Sequence, residues 1–67
     1  MTYYIIYFDD FYGEAIYPED VFEYLVSCGV NTEEAEEALR WCESAPVGDY
    51  YMGSTFDIEF DYEAACP

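Results

Sequence analysis

Histidine and lysine are absent from this 67-residue chain, and Arg40 is its only side-chain cation. Each absence excludes a chemistry. Without histidine there is no imidazole to act as a base or a metal ligand. One cation cannot neutralise a run of phosphates, so direct nucleic-acid binding is excluded. Docking on an anionic membrane surface fails for the same reason. No apolar run approaches the roughly 20 residues of a membrane span. Met1-Thr2-Tyr3-Tyr4 carries no positive cluster, so no secretory signal is expected. Cysteine is unpatterned. Cys28, Cys42 and Cys66 are odd in number and show no C-x-x-C spacing, which argues against a disulfide framework and a zinc site alike. They read as free thiols of a cytoplasmic protein, with Cys28 and Cys42 as small core hydrophobes.

Acid is what the chain has in excess. Sixteen Asp and Glu residues bring the net charge to −15, and self-repulsion at that density opposes compaction. Acidic chains poor in apolar residues stay disordered. Here 54% of residues are hydrophobic and 22% aromatic, so the chain reads as one folded acidic domain spanning residues 1–67. At this length only about 60% of the unfolded surface is buried, and stability is marginal.

The hydrophobic pattern divides the chain into five elements. Thr2 to Phe8 is aromatic and β-branched on both faces, as in a central strand or one covered on both sides. Phe11 to Tyr17 contains Gly13 and reads as a turn with a short extended piece at Glu14 to Ile16. Pro18 opens a helix at the position where its missing N–H costs nothing, followed by the anions Glu19 and Asp20. Its apolar stripe is Val21, Phe22, Leu25, Val26 and Cys28, and Gly29 ends it. Asn31 is an N-cap for the next helix, with Glu34 at capping-box spacing and Val30 and Ala35 as a hydrophobic staple. That helix buries Ala35, Ala38, Leu39 and Cys42, with Trp41 at the margin. Asp49 to Met52, a Gly53-Ser54 turn, and Thr55 to Glu63 form a hairpin. In its second arm Phe56, Ile58, Phe60 and Tyr62 alternate with Asp57, Glu59, Asp61 and Glu63, the pattern of a half-buried antiparallel strand. The expected fold is α+β, in the order β-α-α-β-β. Two helices pack on one face of a three-stranded antiparallel sheet.

The carboxylates do not read as catalytic. Pairs of acids need separated pKa values to work as acid and base, and no nucleophile arrangement accompanies them. Cys28 has no histidine to activate it. Asp9, Asp10 and Glu14 offer oxygen ligands, but their spacing matches no EF-hand loop. The expectation is therefore no enzyme, no cofactor and no metal. Nine tyrosines would suit a base-stacking platform only beside a basic groove, which the composition lacks. Tyr3, Tyr7 and Tyr62 are expected in the core or on a sheet face. Tyr12, Tyr17, Tyr24, Tyr50 and Tyr51 are the candidates for exposure, and exposed tyrosine is enriched at protein interfaces.

The charge itself is the most specific signal. A net charge of magnitude about 2 to 8 keeps a small domain soluble, and this chain exceeds that range. Asp57, Glu59, Asp61 and Glu63 recur at every second residue, about 6.7 Å apart along a strand. Glu33, Glu34, Glu36 and Glu37 cluster on a helix, and Asp9-Asp10 closes the first strand. A small chain with this charge, acidic row and acidic cluster resembles the DNA-mimic proteins made by phages and mobile elements, among them anti-restriction and anti-CRISPR proteins. The resemblance implies an inhibitor that occupies the basic nucleic-acid-binding site of a host defence complex in the host cytoplasm. The short chain favours the anti-CRISPR type. The partner would be a basic nucleic-acid-binding protein or a CRISPR surveillance complex, met by Asp9, Asp10, Glu33, Glu34, Glu36, Glu37, Asp57, Glu59, Asp61 and Glu63. Two other readings stand beside it. One is an acidic partner or chaperone of a basic toxin or nucleoid protein; the other is a domain whose charge serves only solubility. Exposed tyrosines and Trp41 are also compatible with a homodimer.

Overall fold

A computed structural model of the protein describes residues 1–62; the sequence-based expectations for Glu63 and Cys66 lie outside them. Strand β1, Thr2–Tyr7, is built of residues whose branched or aromatic side chains suit a pleated surface. The chain then reverses through Phe8 to Phe11, where the Phe8 N–H donates to the Phe11 carbonyl at 2.8 Å. It returns as β2, Tyr12–Ala15, antiparallel to β1 with Tyr7 opposite Tyr12 and Tyr4 opposite Ala15. This strand corrects the expected turn at Tyr12-Gly13, and the expected extended piece at Glu14 to Ile16 overlaps it at Glu14 and Ala15. Tyr-Gly-Glu-Ala is too short to show an alternation of its own, and its extended form comes from pairing with β1. The element order is therefore β-β-α-α-β-β, and the antiparallel sheet has four strands rather than three.

Helix α1, Pro18–Ser27, begins with proline in its first turn and with Glu19 and Asp20 near its positive end. It ends in a Schellman motif. Gly29, at φ 91°, donates to the Val26 carbonyl, and Val30 donates to that of Leu25. Val30 and Leu25 are both buried, the apolar contact that accompanies this cap. Two residues later α2 starts, Thr32–Ser44. The Asn31 side chain accepts from the Glu33 N–H at 2.8 Å, satisfying one of the helix's orphan donors. The reciprocal half of the capping box does not form. Glu34 turns instead to the hairpin beyond α2, accepting from the N–H and the hydroxyl of Ser54, both at 2.8 Å.

That hairpin comprises β3, Tyr50–Met52, and β4, Asp57–Tyr62. Its loop is closed by the Gly53 N–H donating to the Phe56 carbonyl at 2.8 Å. The sheet order is β2-β1-β4-β3, so β1 is central, with Ile6 opposite Ile58 and Tyr4 opposite Phe60. Both helices lie on the face carrying these residues. Val21 and Leu25 of α1, and Ala35, Ala38 and Cys42 of α2, close over Tyr4, Ile6, Phe56 and Ile58 to form the core. The small alanines let α2 approach closely. Leu39, expected in the buried stripe, is half-buried, and Val26 of α1 is exposed. The Tyr4 hydroxyl donates to the Cys42 carbonyl at 2.8 Å, which ties the sheet to α2. Its ring stacks on Phe60 at 4.5 Å and meets Trp41 edge-on at 6.3 Å. No buried side-chain nitrogen or oxygen among the described residues is left without a partner.

Among the described residues nothing covers the other face of β1, contrary to one of the two expectations for this strand. Tyr3, Ile5 and Tyr7 point away from the helices. Tyr3 and Ile5 are half-buried and Tyr7 is exposed, because the neighbouring strands shield a central strand only from the sides. Tyr62 is also exposed, although its alternation placed it with Phe56 and Ile58.

Candidate partner-binding surface

Antiparallel pairing puts the side chains of opposed residues on the same face of a sheet. The register therefore lays out the open face in cross-strand rows. One row runs Tyr12, Tyr7, Asp57, Met52; the next runs Glu14, Ile5, Glu59, Tyr50; in a third, Tyr3 stands opposite Asp61. Aromatic or apolar groups and carboxylates thus share one surface. Strands are about 4.8 Å apart, and the carboxylates of β4 recur about every 6.7 Å along it.

The carboxylates are fixed by short connections to the backbone, and two of the row's three acids make hydrogen bonds. The Tyr7 hydroxyl donates to Glu59 Oε1 at 3.0 Å. Asp61 accepts from the Tyr62 N–H at 2.8 Å. The bond to Glu59 raises the Tyr7 hydroxyl above its ordinary pKa, with burial and the carboxylate's charge adding to it. Asp57 is exposed and Glu59 and Asp61 are half-buried. The chain has no Lys with which to balance this row, and Arg40, its one cation, belongs to α2.

Asp9 joins this surface at one end, and Asp10 beside it does not. Antiparallel pairing of β1 with β4 brings the tips of both hairpins together, where Phe8 and Phe56 lie 6.1 Å apart. Asp9 and Asp57 line one concavity there with Tyr7 and Thr55. Asp10 faces a neighbouring one beside Cys28 and Gly29.

The helical acids form a separate surface. Glu33, Glu36 and Glu37 are exposed on α2, in the layer on the opposite side of the sheet, and Glu34 is half-buried against Ser54. Glu37 also lies beside the Tyr51 hydroxyl. Burial first, and then the charges of Glu37 and Glu34, raise the pKa of Tyr51. The ten expected contact residues therefore do not make one patch. Asp9, Asp57, Glu59 and Asp61 come together; Asp10 turns to the end of α1; Glu33, Glu36 and Glu37 stand apart; Glu34 serves as a brace between α2 and the hairpin; Glu63 lies outside the described residues. The sequence reading missed Glu14, Ile5 and Met52 as members of the open face. Glu14 reaches it only through the β1–β2 pairing. The Tyr3-Ile5-Tyr7 alternation was the available signal for Ile5, and Met52 reaches the face through its pairing with Asp57.

Burial pushes the Cys42 thiol up to about 12, so it stays protonated at neutral pH and is a poor nucleophile. Among the described residues no three Cys, Asp or Glu side chains are grouped to hold a metal ion. No described helix is long and apolar enough to cross a membrane. No family model, curated protein or solved structure matches this chain.

Proposed function

We propose that this protein is a DNA-mimic inhibitor. It occupies the basic nucleic-acid-binding site of a host defence complex in the host cytoplasm and blocks target DNA binding. A CRISPR surveillance complex is favoured over a restriction enzyme as the target. The protein acts by occupancy and catalyses no reaction. One observation carries this reading: a net charge of −15 with a single cation, displayed from regular secondary structure on both layers of the fold.

A duplex carries one charge per roughly 1.7 Å of axis, and a protein that binds it does so by matching that field with Lys and Arg. A partner shaped for DNA therefore already holds the countercharge this chain lacks. Carboxylates held on β4 and α2 present the matching field without ordering a flexible acidic tail, whose lost entropy would oppose binding. The test immobilises the protein and passes purified CRISPR surveillance complexes and restriction enzymes over it. At least one should bind, and its affinity should fall steeply between about 50 and 500 mM salt, as release of counterions requires. Binding insensitive to salt would refute the reading. Binding of none of these complexes, with capture of a small basic toxin or nucleoid protein from host lysate passed over the same surface, would assign the protein to the dedicated-partner class.

A further inference from the structure

The open face of the sheet is more apolar than charge mimicry needs. Tyr12 is 64% exposed, Tyr50 59% and Met52 83%, on a face with no helix over it among the described residues. Isolated exposed apolar residues are ordinary, but these lie on one face of the sheet with Tyr7 and Ile5, and such patches mark interfaces. A second copy of this chain is a poor occupant. Stacking two open faces would set the row at Asp57, Glu59 and Asp61 against its duplicate with no Lys in either chain, and like charges brought together out of water repel strongly. The occupant has to be cationic.

The kind of cation follows from the layout. In one row Tyr7 stands between Tyr12 and Asp57, its ring 6.4 Å from that of Tyr12. In the next, Glu59 stands between Ile5 and Tyr50. Ring faces and carboxylates are thus neighbours at strand spacing. A guanidinium is planar: it lies on an aromatic face and at the same time presents a fork of donors to a carboxylate. An ammonium is a compact, strongly hydrated charge that gains mainly from the carboxylate. A carboxylate surface without rings would separate the two cations less, by the fork alone.

We propose that the open face of the sheet is the docking surface, and that it takes an arginine-rich segment of the partner protein in preference to a lysine-rich one. This inference rests on the DNA-mimic reading for the partner's basic character, and adds to it which face binds and which cation it selects. The α2 surface of Glu33, Glu36 and Glu37 then supplies long-range attraction rather than contact.

The test titrates isotopically labelled protein with deca-arginine and with deca-lysine, following backbone amide shifts and affinity. Deca-arginine should bind about fivefold more tightly, the gain expected of one or two exposed cation–π contacts. The shifts should centre on β1, β3 and β4. Replacing two of the rings in Tyr12→Thr/Tyr50→Thr keeps β-branched residues at edge-strand positions, and should bring the two peptides within about twofold by weakening deca-arginine more than deca-lysine. Equal affinities for the native protein, or shifts confined to α2, would overturn the inference even if the double variant failed to fold. In either of those cases salt-sensitive binding of both peptides would leave the DNA-mimic reading standing. Binding of neither peptide at about 50 mM salt would overturn both.

Discussion

Gly29 and Cys42 show how single residues fix this small core. Gly29 sits at φ 91°, a conformation that costs an L-residue with a side chain about 1–2 kcal/mol. Gly29→Ala should lower stability by about that amount in urea unfolding, because the Schellman bonds that join α1 to α2 require the left-handed geometry. Cys42 holds its proton because it is buried. Its thiol titrates at about 12 instead of the ordinary 9.0, so the unfolded chain loses this proton first. The stability linked to it is complete below about pH 9 and falls as pH rises towards 12. Burial likewise raises Tyr4, Tyr24 and Tyr51, and the bond to Glu59 raises Tyr7, so the tyrosines add in the same direction from about pH 10 upward. Melting temperature should fall across pH 9 to 12. In a Cys28→Ser/Cys66→Ser variant, native Cys42 should resist iodoacetamide at pH 8 and react once urea unfolds the chain. Rapid labelling of the folded protein would contradict this placement of Cys42.

Strand β4 separates two jobs by alternation. Ile58 is fully buried against Ile6, while Asp57 and Glu59 on either side of it face out. Ile58→Ala should cost about 2–5 kcal/mol. Replacing Asp57 and Asp61 by Asn and Glu59 by Gln should leave stability equal or slightly higher, since each exposed pair repels by about 1 kcal/mol or less in water, and glutamine still offers an oxygen to Tyr7. The same triple variant should bind the partner more weakly, by about 1–3 kcal/mol for each desolvated ion pair it removes. Calorimetry and a binding titration on the two variants check both halves. A triple variant that is stable and binds at full strength would remove β4 from the interface.

The elements also show what could be read in advance. Pro18, Gly29 and Asn31 mark helix ends by backbone chemistry that acts locally, and the alanines of α2 show helical spacing, so both helices were legible. The alternation of β4 was legible for the same reason. Strand β2 was legible only as a short extended piece at Glu14 to Ile16, because Gly13 and Glu14 have low strand propensity and pairing with β1 sets the strand's extent. Glu34 looked like half of a capping box, yet its carboxylate serves Ser54, twenty residues further on. Nothing local signals such a contact. The exposure of Tyr62 depends on how far the helices extend over the sheet, which periodicity does not encode. For the same reason the acidic residues could be identified as a class, but not sorted into two surfaces.

At the scale of the molecule, charge opposes folding and favours binding. Added salt screens repulsion among sixteen acids, so the melting temperature should rise between about 20 and 500 mM NaCl, as the screening length shrinks from tens of ångströms to a few. A midpoint that dropped with salt would mean the acids are balanced within the fold. Binding should respond in the opposite sense, weakening with salt while the fold strengthens. That opposition distinguishes a charge kept for a partner from one kept for stability.

The central claim is that these carboxylates take the place of DNA phosphates, and mutual exclusion tests it most directly. A defence complex that binds the protein is loaded with labelled target duplex, and the protein is titrated in at fixed salt. The account predicts that the duplex is displaced completely, and that the apparent affinity of the protein weakens in proportion to duplex concentration. A stable ternary complex, holding duplex and protein together at undiminished affinity for each, would contradict it.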